Sequence, residues 1–311
     1  MLALIDGDEL IYACGFASQK IWYFIYINQE EEDGWIYKLP YKKEAESLLE
    51  ESDDFVCIPN TVLDPEWIAK SNVRNTIQSI LDNTGADEYR IFLSGKENFR
   101  EKIASILPYK GNRDPEAKPI YYDLIKEYLL KEYNAIIVDG MEADDGMSIA
   151  QYNDIDEIIY NKCTDDEYLL WYNNEGFDYS RILSKYGNTV ICSQDKDLNM
   201  VPGWHYNDKG GLYFVEVLKG LKNFYTQMLT GDAIDNIPGL YKLTGKKVFK
   251  RIKDDLQSCN TEEELYSYVR TCYMEAFKCD PNNTDIDLLL TELGRLLWMR
   301  QYESQLWVYP N

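Results

Sequence analysis

Six short β-like runs punctuate the first two thirds of the chain: LALID (2–6), IWYFIYI (21–27), FVCIP (55–59), YRIFL (89–93), AIIVD (135–139) and TVICS (189–193). Between several of them lie amphipathic stretches with apolar residues at helical spacing, such as PEWIAKSNVRNTIQSILDN (65–83) and PIYYDLIKEYLLKEYN (119–134). That alternation predicts an α/β fold, a mainly parallel central sheet with helices on both faces. IWYFIYINQEEEDGWIYKLP (21–40) has instead the pattern of an added antiparallel hairpin turning near Asp33–Gly34. Beyond about residue 217 the strand signal fades and helices dominate. The expected division is therefore an α/β domain at residues 1–216, with the hairpin insertion at 21–39, and a helical subdomain at residues 217–311. DIDEIIYNKCTDDEYLLWYNNEG (154–176) fits neither period and reads as an ambiguous connection. No internal repeat or low-complexity tract is present.

At 311 residues the chain can bury a sizeable core, and 45% apolar content with 26 tyrosines separates it from disordered sequences. No stretch approaches the roughly 20 uncharged apolar residues of a membrane span, and Asp6 and Asp8 interrupt any signal-like segment. The expectation is a cytoplasmic monomer with no membrane partner. The 7 cysteines include no CxxC pair, which argues against a disulfide framework or a thiolate zinc site. The single histidine, His205, rules out imidazole zinc clusters, and no GxSxG nucleophile motif occurs. Chemistry then falls to carboxylates, lysines, arginines or a cofactor.

The acidic residues lie where such chemistry needs them. Asp6 ends the first strand-like run; Glu142, Asp144 and Asp145 follow AIIVDG at the opening of a helix; Asp195 and Asp197 follow TVICSQ. In an open parallel sheet the carboxyl ends of the strands share one edge, and ligands bind in the crevice outside it. Asp232 and Asp235, in TGDAIDNIPG, come from the helical region and can close over that edge. Taken singly, each group is an ordinary turn former or a complement to a helix dipole. Four groups with one placement ask for more, because two unit charges about 4 Å apart repel by roughly 1 kcal/mol in water and several times that when partly desolvated. A hard cation offsets such repulsion. Oxygen ligands without His or Cys select Mg²⁺ or Mn²⁺, and this many acids suits two ions roughly 4 Å apart.

Net charge of −22 weighs against a nucleic-acid partner, yet local fields decide. Basic residues concentrate at residues 96–118 (Lys96, Arg100, Lys102, Lys110, Arg113, Lys118) and at residues 242–253 (Lys242, Lys246, Lys247, Lys250, Arg251, Lys253). EEED (30–33) and EESDD (50–54) read as solvated turns.

In order along the chain, LALIDGD, FREKIASILPYKGNRDPEAKP, MEADDGMSIA, VICSQDKDLNMV and MLTGDAIDNIPG followed by a basic helix resemble the 5′ nuclease family. That family comprises flap endonucleases, the 5′-exonuclease domains of bacterial DNA polymerases and free-standing bacteriophage 5′→3′ exonucleases, to which the likeness is greatest. The matching elements span residues 2 to about 252. The resemblance implies a PIN-like fold with a helical arch and a C-terminal subdomain carrying a helix-hairpin-helix-like motif. It implies that Asp6, Glu142, Asp144 and Asp145 serve one metal, that Asp195, Asp197, Asp232 and Asp235 serve or surround the second, and that Asp8 assists from outside. PYKGNR (108–113) fits the family's basic helix beside the active site, with Lys110 and Arg113 directed at the scissile phosphate and its neighbour. Residues 96–118, Arg100 included, resemble the arch through which a single-stranded 5′ end passes. NIPGLYKLTGKKVFKRI (236–252) resembles the motif that grips duplex phosphates, implying DNA contacts at Gly239, Lys242, Lys246 and Lys247. The implied activity is hydrolysis of DNA near 5′ ends or flaps in phage replication or repair, within the host cytoplasm; whether RNA–DNA hybrids are also cut stays open.

Two positions depart from the family pattern. Ser94 stands where another acid is usual, and the hairpin tip reads Tyr241, Lys242, Leu243, Thr244, Gly245 in place of GxGxK, which puts a monovalent-ion site there in doubt. Two rival readings remain. A haloacid-dehalogenase-type phosphatase would use Asp6 of LALIDGD as nucleophile, but needs a strand directly before the GD at residues 231–232, where KNFYTQMLT has helical spacing. A structure-specific DNA-binding protein without turnover would have no use for so many acids facing phosphates.

Overall fold

LALID is apolar up to its terminal Asp6 because it becomes a buried strand: Ala3, Leu4 and Ile5 are fully buried. The computed structural model describes residues 1–27, 35–113, 118–173, 177–248, 250–278 and 285–310. In chain order the first elements are β1 (Leu2–Asp6), α1 (Gly7–Ala17), β2 (Gln19–Ile27), β3 (Tyr37–Leu39), α2 (Lys42–Leu49), β4 (Phe55–Leu63) and α3 (Glu66–Thr84). There follow β5 (Glu88–Asn98), α4 (Phe99–Ile103), α5 (Tyr122–Glu132), β6 (Ile136–Gly140), α6 (Ala143–Lys162), α7 (Asp165–Tyr172), α8 (Ser180–Tyr186) and β7 (Thr189–Cys192). After a 3₁₀ turn at Lys196–Met200 come β8 (Gly203–Asn207), β9 (Gly211–Val215), α9 (Val217–Thr230), β10 (Gly231–Asp232) and β11 (Ile237–Pro238). The last helices are α10 (Leu240–Thr244), α11 (Lys250–Gln257), α12 (Glu262–Phe277) and α13 (Asp285–Leu297).

The chain divides into two compact units, Met1–Asp8 with Ser79–Pro115 and Asn134–Asn311, and Glu9–Gln78 with Glu116–Tyr133. This differs from the division expected at residue 216, since the C-terminal helices cluster with the main sheet.

The first unit holds a six-stranded sheet in the order β6-β5-β1-β7-β8-β9. Its first five strands are parallel and β9 pairs antiparallel with β8. The chain builds outward from β1 to β5 and β6, then crosses to β7 on the other side, so the strand order reverses at β1 and β7. Asp6 is the last residue of β1 and Ser193 directly follows β7, which places both at the switch point where such sheets bind ligands. Helix α6 lies against this sheet through Met147, Ile155 and Ile159, all buried. Gly146 permits the close approach, because a Cβ there would stand 2.8 Å from Val138 Cγ1. The C-terminal helices enclose an aromatic core in which Phe224 of α9 meets Trp298 edge-on at 4.7 Å and Trp307 at 5.5 Å. Arg270 on α12 forks onto Asp287 on α13 at 2.6 and 3.0 Å, joining the two helices.

The second unit contains the three-stranded antiparallel sheet β3-β2-β4. FVCIP therefore belongs to a separate antiparallel sheet and not to the parallel one, a correction that a short apolar run could not supply, since it pairs equally well in either direction. β2 and β3 form the expected hairpin, whose turn at Asp33–Gly34 lies outside the described residues. Residues 154–176 are helical as far as Tyr172, divided by the Thr164 capping box between α6 and α7. The arch expected at residues 96–118 holds, among the described residues, the end of β5, the five-residue α4 and the loops and turns after it. β8 and β9 escaped the sequence reading; the turn-forming Asn207–Gly210 between them was the available signal. No helix among the described residues is long and apolar enough to cross a membrane.

His205 sits in β8, 2% exposed, with its ring stacked on Tyr213 and Nε2 2.8 Å from the Val201 carbonyl. Burial lowers its pKa to about 4. The depressed value means that the unfolded chain takes up this proton first, so the histidine's contribution is intact above about pH 6.5 and is lost as pH falls toward 4. As the chain's only histidine it gives a single imidazole C2–H resonance, expected to titrate near pH 4. Between pH 6.5 and 4 the wild type should lose about 3 kcal/mol of stability relative to His205→Gln. A midpoint near 6.5, or parallel stability curves for the two proteins, would contradict the assignment.

Candidate active site

A strand can hold a carboxylate still at its end, and a helix can hold one still in its first turn; this site uses both devices. Asp6, at the end of β1, is 9% exposed and accepts a hydrogen bond from Ser193 Oγ at 3.2 Å. Ser193 Oγ also accepts from the Asp195 backbone N–H at 3.0 Å, and Asp195 Oδ1 accepts from the Asp197 N–H at 2.8 Å. Glu142 is the N-cap of α6 and Asp144 and Asp145 fill its first turn. Asp232 and Asp235 lie at the two-residue ladder of β10 and β11, where Asp232 Oδ1 accepts from the N–H groups of Ile234 and Asp235 at 2.7 and 3.2 Å.

Two segments more than a hundred residues apart are clasped together here. Lys110 N–H donates to the Asp235 carbonyl at 2.9 Å, Asn112 Nδ2 to the Ala233 carbonyl at 2.7 Å, and Asn236 Nδ2 to the Pro108 carbonyl at 2.9 Å. PYKGNR is consequently a turn and not the basic helix that the resemblance implied, with Lys110 at φ 53°. Its side chains meet the acids: Lys110 Nζ bonds Glu142 Oε1, Arg113 Nη2 reaches Asp235 Oδ1 at 2.7 Å, and the Tyr109 hydroxyl lies 2.7 Å from both Glu142 Oε2 and Asp235 Oδ2. The hydroxyl has one proton to donate, so it stands as a shared donor between the two carboxylates. Tyr109, Asn112 and Asn236 are participants that sequence reasoning missed; nothing local distinguishes Tyr109 among 26 tyrosines.

Burial and mutual repulsion set the charge state. Asp144 is raised well above the usual carboxylate range by burial, then by the charges of Asp6, Asp195 and Glu142. Its Oδ1 is buried with no hydrogen-bond partner. Asp195 is raised chiefly by burial, and Asp197 is pushed up to about 8 by burial and by Asp195. Asp197 shares its proton with Asp232, whose carboxyl is held low by that bond and two backbone N–H groups despite burial. Gln227 Nε2 and Lys196 complete this second group, donating to Asp197 Oδ1 and lying 3.8 Å from Asp232 Oδ2.

Among the described residues no three acidic, histidine or cysteine side chains close into a group that could hold a metal ion as they stand. The donor chemistry nevertheless fits a hard divalent cation: the oxygens are all carboxylate, and Asp144 Oδ1 is the orphaned buried atom that a cation would satisfy.

Two expected residues are elsewhere. Asp145 is 0% exposed and Arg100 1% exposed, and they form a bidentate ion pair at 2.5 and 2.9 Å, so neither is placed to meet metal or DNA. Ser94 is no ligand either; its Oγ accepts from the Ala143 N–H at 3.0 Å and its N–H donates to Asp8 Oδ2 at 3.0 Å, fixing the start of α6. Gly239 has a reason inside the fold: a Cβ there would stand 2.1 Å from the Thr230 carbonyl carbon. Lys242 and Lys247 are exposed, Lys242 donating to Asn236 Oδ1, while Lys246 pairs with Glu275 at 3.3 Å. The phosphatase pattern fails because α9 runs as helix to Thr230, directly before Gly231.

The chain is similar to solved structures of bacteriophage T5 nucleases. One, a T5 protein co-crystallised with metal ions, shares 15% identity over 95% of this chain and 90% of its own, with a TM-score of 0.46. A T5 flap endonuclease variant in a pseudo-enzyme–product complex with DNA and metal ions shares 14% over 73% and 90%, TM-score 0.34. A T5 5′-exonuclease mutant shares 13% over 96% and 99%, TM-score 0.37. No protein-family model and no curated protein matches the sequence.

A buried carboxylate with acidic neighbours and an unpartnered oxygen costs stability where it stands. Asp144→Asn should raise the unfolding free energy by about 1–4 kcal/mol at neutral pH, because the buried carboxyl must either stay charged among its acidic neighbours or take up a proton to escape that repulsion. Thermal and urea unfolding measure it; an unchanged or lowered midpoint would show that Asp144 is not under that repulsion.

Proposed function

We propose that this chain is a divalent-metal-dependent nuclease that hydrolyses DNA phosphodiester bonds near 5′ ends, as a 5′→3′ exonuclease or at flaps. The observation that supports it most is the gathering of Asp6, Glu142, Asp144 and Asp195 at the carboxyl edge of the parallel sheet, with Asp144 Oδ1 buried and unpartnered and the Lys110–Arg113 turn bonded to the rim. Asp6, Glu142, Asp144 and Asp195 would hold one Mg²⁺ or Mn²⁺; Asp197, Asp232 and Asp235 would hold a second after exchanging hydrogen bonds they now accept. Bound there, such ions lower the pKa of a water and stabilise charge on the phosphate and the departing 3′ oxygen.

The chain's own residues supply the rest. Lys110 and Arg113, with side chains 25% and 50% exposed, can leave Glu142 and Asp235 for phosphate oxygens, exchanging one charge-assisted bond for another. Their clasp to residues 233–236 fixes where the turn stands while the side chains exchange partners. Tyr109, whose hydroxyl is kept protonated by burial and the neighbouring acids, stays a donor to Glu142 and Asp235 on the rim. Lys242, Lys246 and Lys247 extend the positive surface for the duplex portion of the substrate. DNA with 5′ ends or flaps, with RNA–DNA hybrids a further class to test, is the partner of a monomer acting in phage replication or repair in the host cytoplasm.

Incubating 5′-labelled recessed and flapped duplexes with magnesium should release 5′-phosphorylated fragments, and Asp195→Ala should abolish the release. Lys110→Met should lower kcat by about 10²–10³-fold, as expected for loss of one charge-stabilising donor. Magnesium-dependent binding without cleavage, or phosphate release from a small monoester with DNA left intact, would overturn the reading.

A further inference from the structure

Asp145 accepts four hydrogen bonds and has no lone pair to spare. Its Oδ1 takes Arg100 Nη2 at 2.9 Å and the Arg300 N–H at 3.1 Å; its Oδ2 takes Arg100 Nη1 at 2.5 Å and the Glu142 N–H at 3.2 Å. Arg100 is equally committed, donating Nε to the Leu296 carbonyl and Nη2 to the Trp298 carbonyl, each at 2.9 Å. Three segments distant in sequence therefore meet at one desolvated pair: α4, the first turn of α6, and the chain as it leaves α13. Phe99 secures the meeting, with the Arg300 guanidinium 3.7 Å from its ring centre and the Arg100 guanidinium 4.7 Å away. The Glu142 N–H held by Asp145 belongs to a candidate metal ligand, and Arg100 Nη1 stands 3.6 Å from Glu142 Oε2.

We infer that Arg100 and Asp145 are a positioning pair, fixing the turn that carries Glu142 and Asp144 so that their oxygens point at the metal, and that neither touches metal or DNA itself. The inference rests on the nuclease reading above. It assigns the end of α13 and the residues just after it a part in the site, since the guanidinium fork is aligned by the Leu296 and Trp298 carbonyls as well as by Asp145. Lysine cannot replace arginine here, because a single ammonium cannot span two carbonyls and a bidentate carboxylate.

The test is Mn²⁺ binding, followed by electron paramagnetic resonance, alongside kcat and KM on a flapped duplex, for wild type, Arg100→Lys, Asp145→Asn and the double variant Arg100→Met/Asp145→Leu. The double variant removes both charges together, which avoids the unpaired buried charge that Asp145→Asn alone leaves and so protects folding. Far-UV circular dichroism and melting verify the fold of each protein. Folded variants are expected to bind Mn²⁺ 10–100-fold more weakly and to lose kcat by a similar factor, with KM for DNA within about twofold, the effect seen when residues supporting metal ligands are removed. Folded variants with wild-type Mn²⁺ affinity and kcat would overturn the positioning role while leaving the nuclease reading intact. A rise in KM with kcat and Mn²⁺ affinity unchanged would overturn it by making Arg100 a DNA contact. A wild type that neither binds Mn²⁺ nor cuts would remove the nuclease reading first.

Discussion

Crowded negative charge at one edge of a parallel sheet is the constraint around which this molecule is arranged. Asp6, Glu142, Asp144 and Asp195 influence one another strongly enough that Asp144 is driven toward its neutral form, and Asp197 and Asp232 hold a proton between them. Carboxylates about 4 Å apart in a partly desolvated site repel by roughly 4 kcal/mol, comparable to a sizeable part of a domain's net stability. The surroundings supply compensation from three segments: Lys110, Arg113 and Tyr109 on the turn at residues 108–113, Lys196 on the 3₁₀ turn, and Arg100 on α4.

These sources differ in kind. Arg100 is desolvated and committed to hydrogen bonds within the fold, and its fork geometry specifies where the first turn of α6 begins. Lys110 and Arg113 are partly exposed, and their ion pairs with Glu142 and Asp235 are replaceable by any anion that offers equivalent oxygens. One desolvated cation and two partly exposed, exchangeable ones thus compensate the acids in different ways. The clasp between Pro108, Lys110 and Asn112 and residues 233–236 lets the rim side chains exchange without the backbone losing its place.

The structure assigned the acidic motifs unequally. EADD supplies an N-cap residue, a carboxyl with one unpartnered oxygen and a buried structural anion from Glu142, Asp144 and Asp145 respectively, although all three look alike as a string. Helix geometry explains the divergence: successive residues in the first turn point about 100° apart, so only some can face the sheet edge while others turn to the interior. Ser94 shows the same principle, for the hydroxyl at the end of the β5 core serves the helix start and not the site mouth.

Sequence by itself determined the alternation of strand and helix, the delivery of Asp6, Glu142 and Asp195 to the ends of three strands, and the helical character of residues after 217, because strand ends and amphipathic periods are local properties. It did not reveal the antiparallel pairing of FVCIP, the strands at 203–207 and 211–215, or the burial of Arg100, since a charged residue in a basic stretch looks solvent-exposed until its partners are known. Only the tertiary structure decided which charges stay in water and which are paired. The physical reason is that Arg100 meets Asp145 from 45 residues away and the Leu296 carbonyl from 196 residues away, and desolvation is a property of the packed whole and not of any window along the chain.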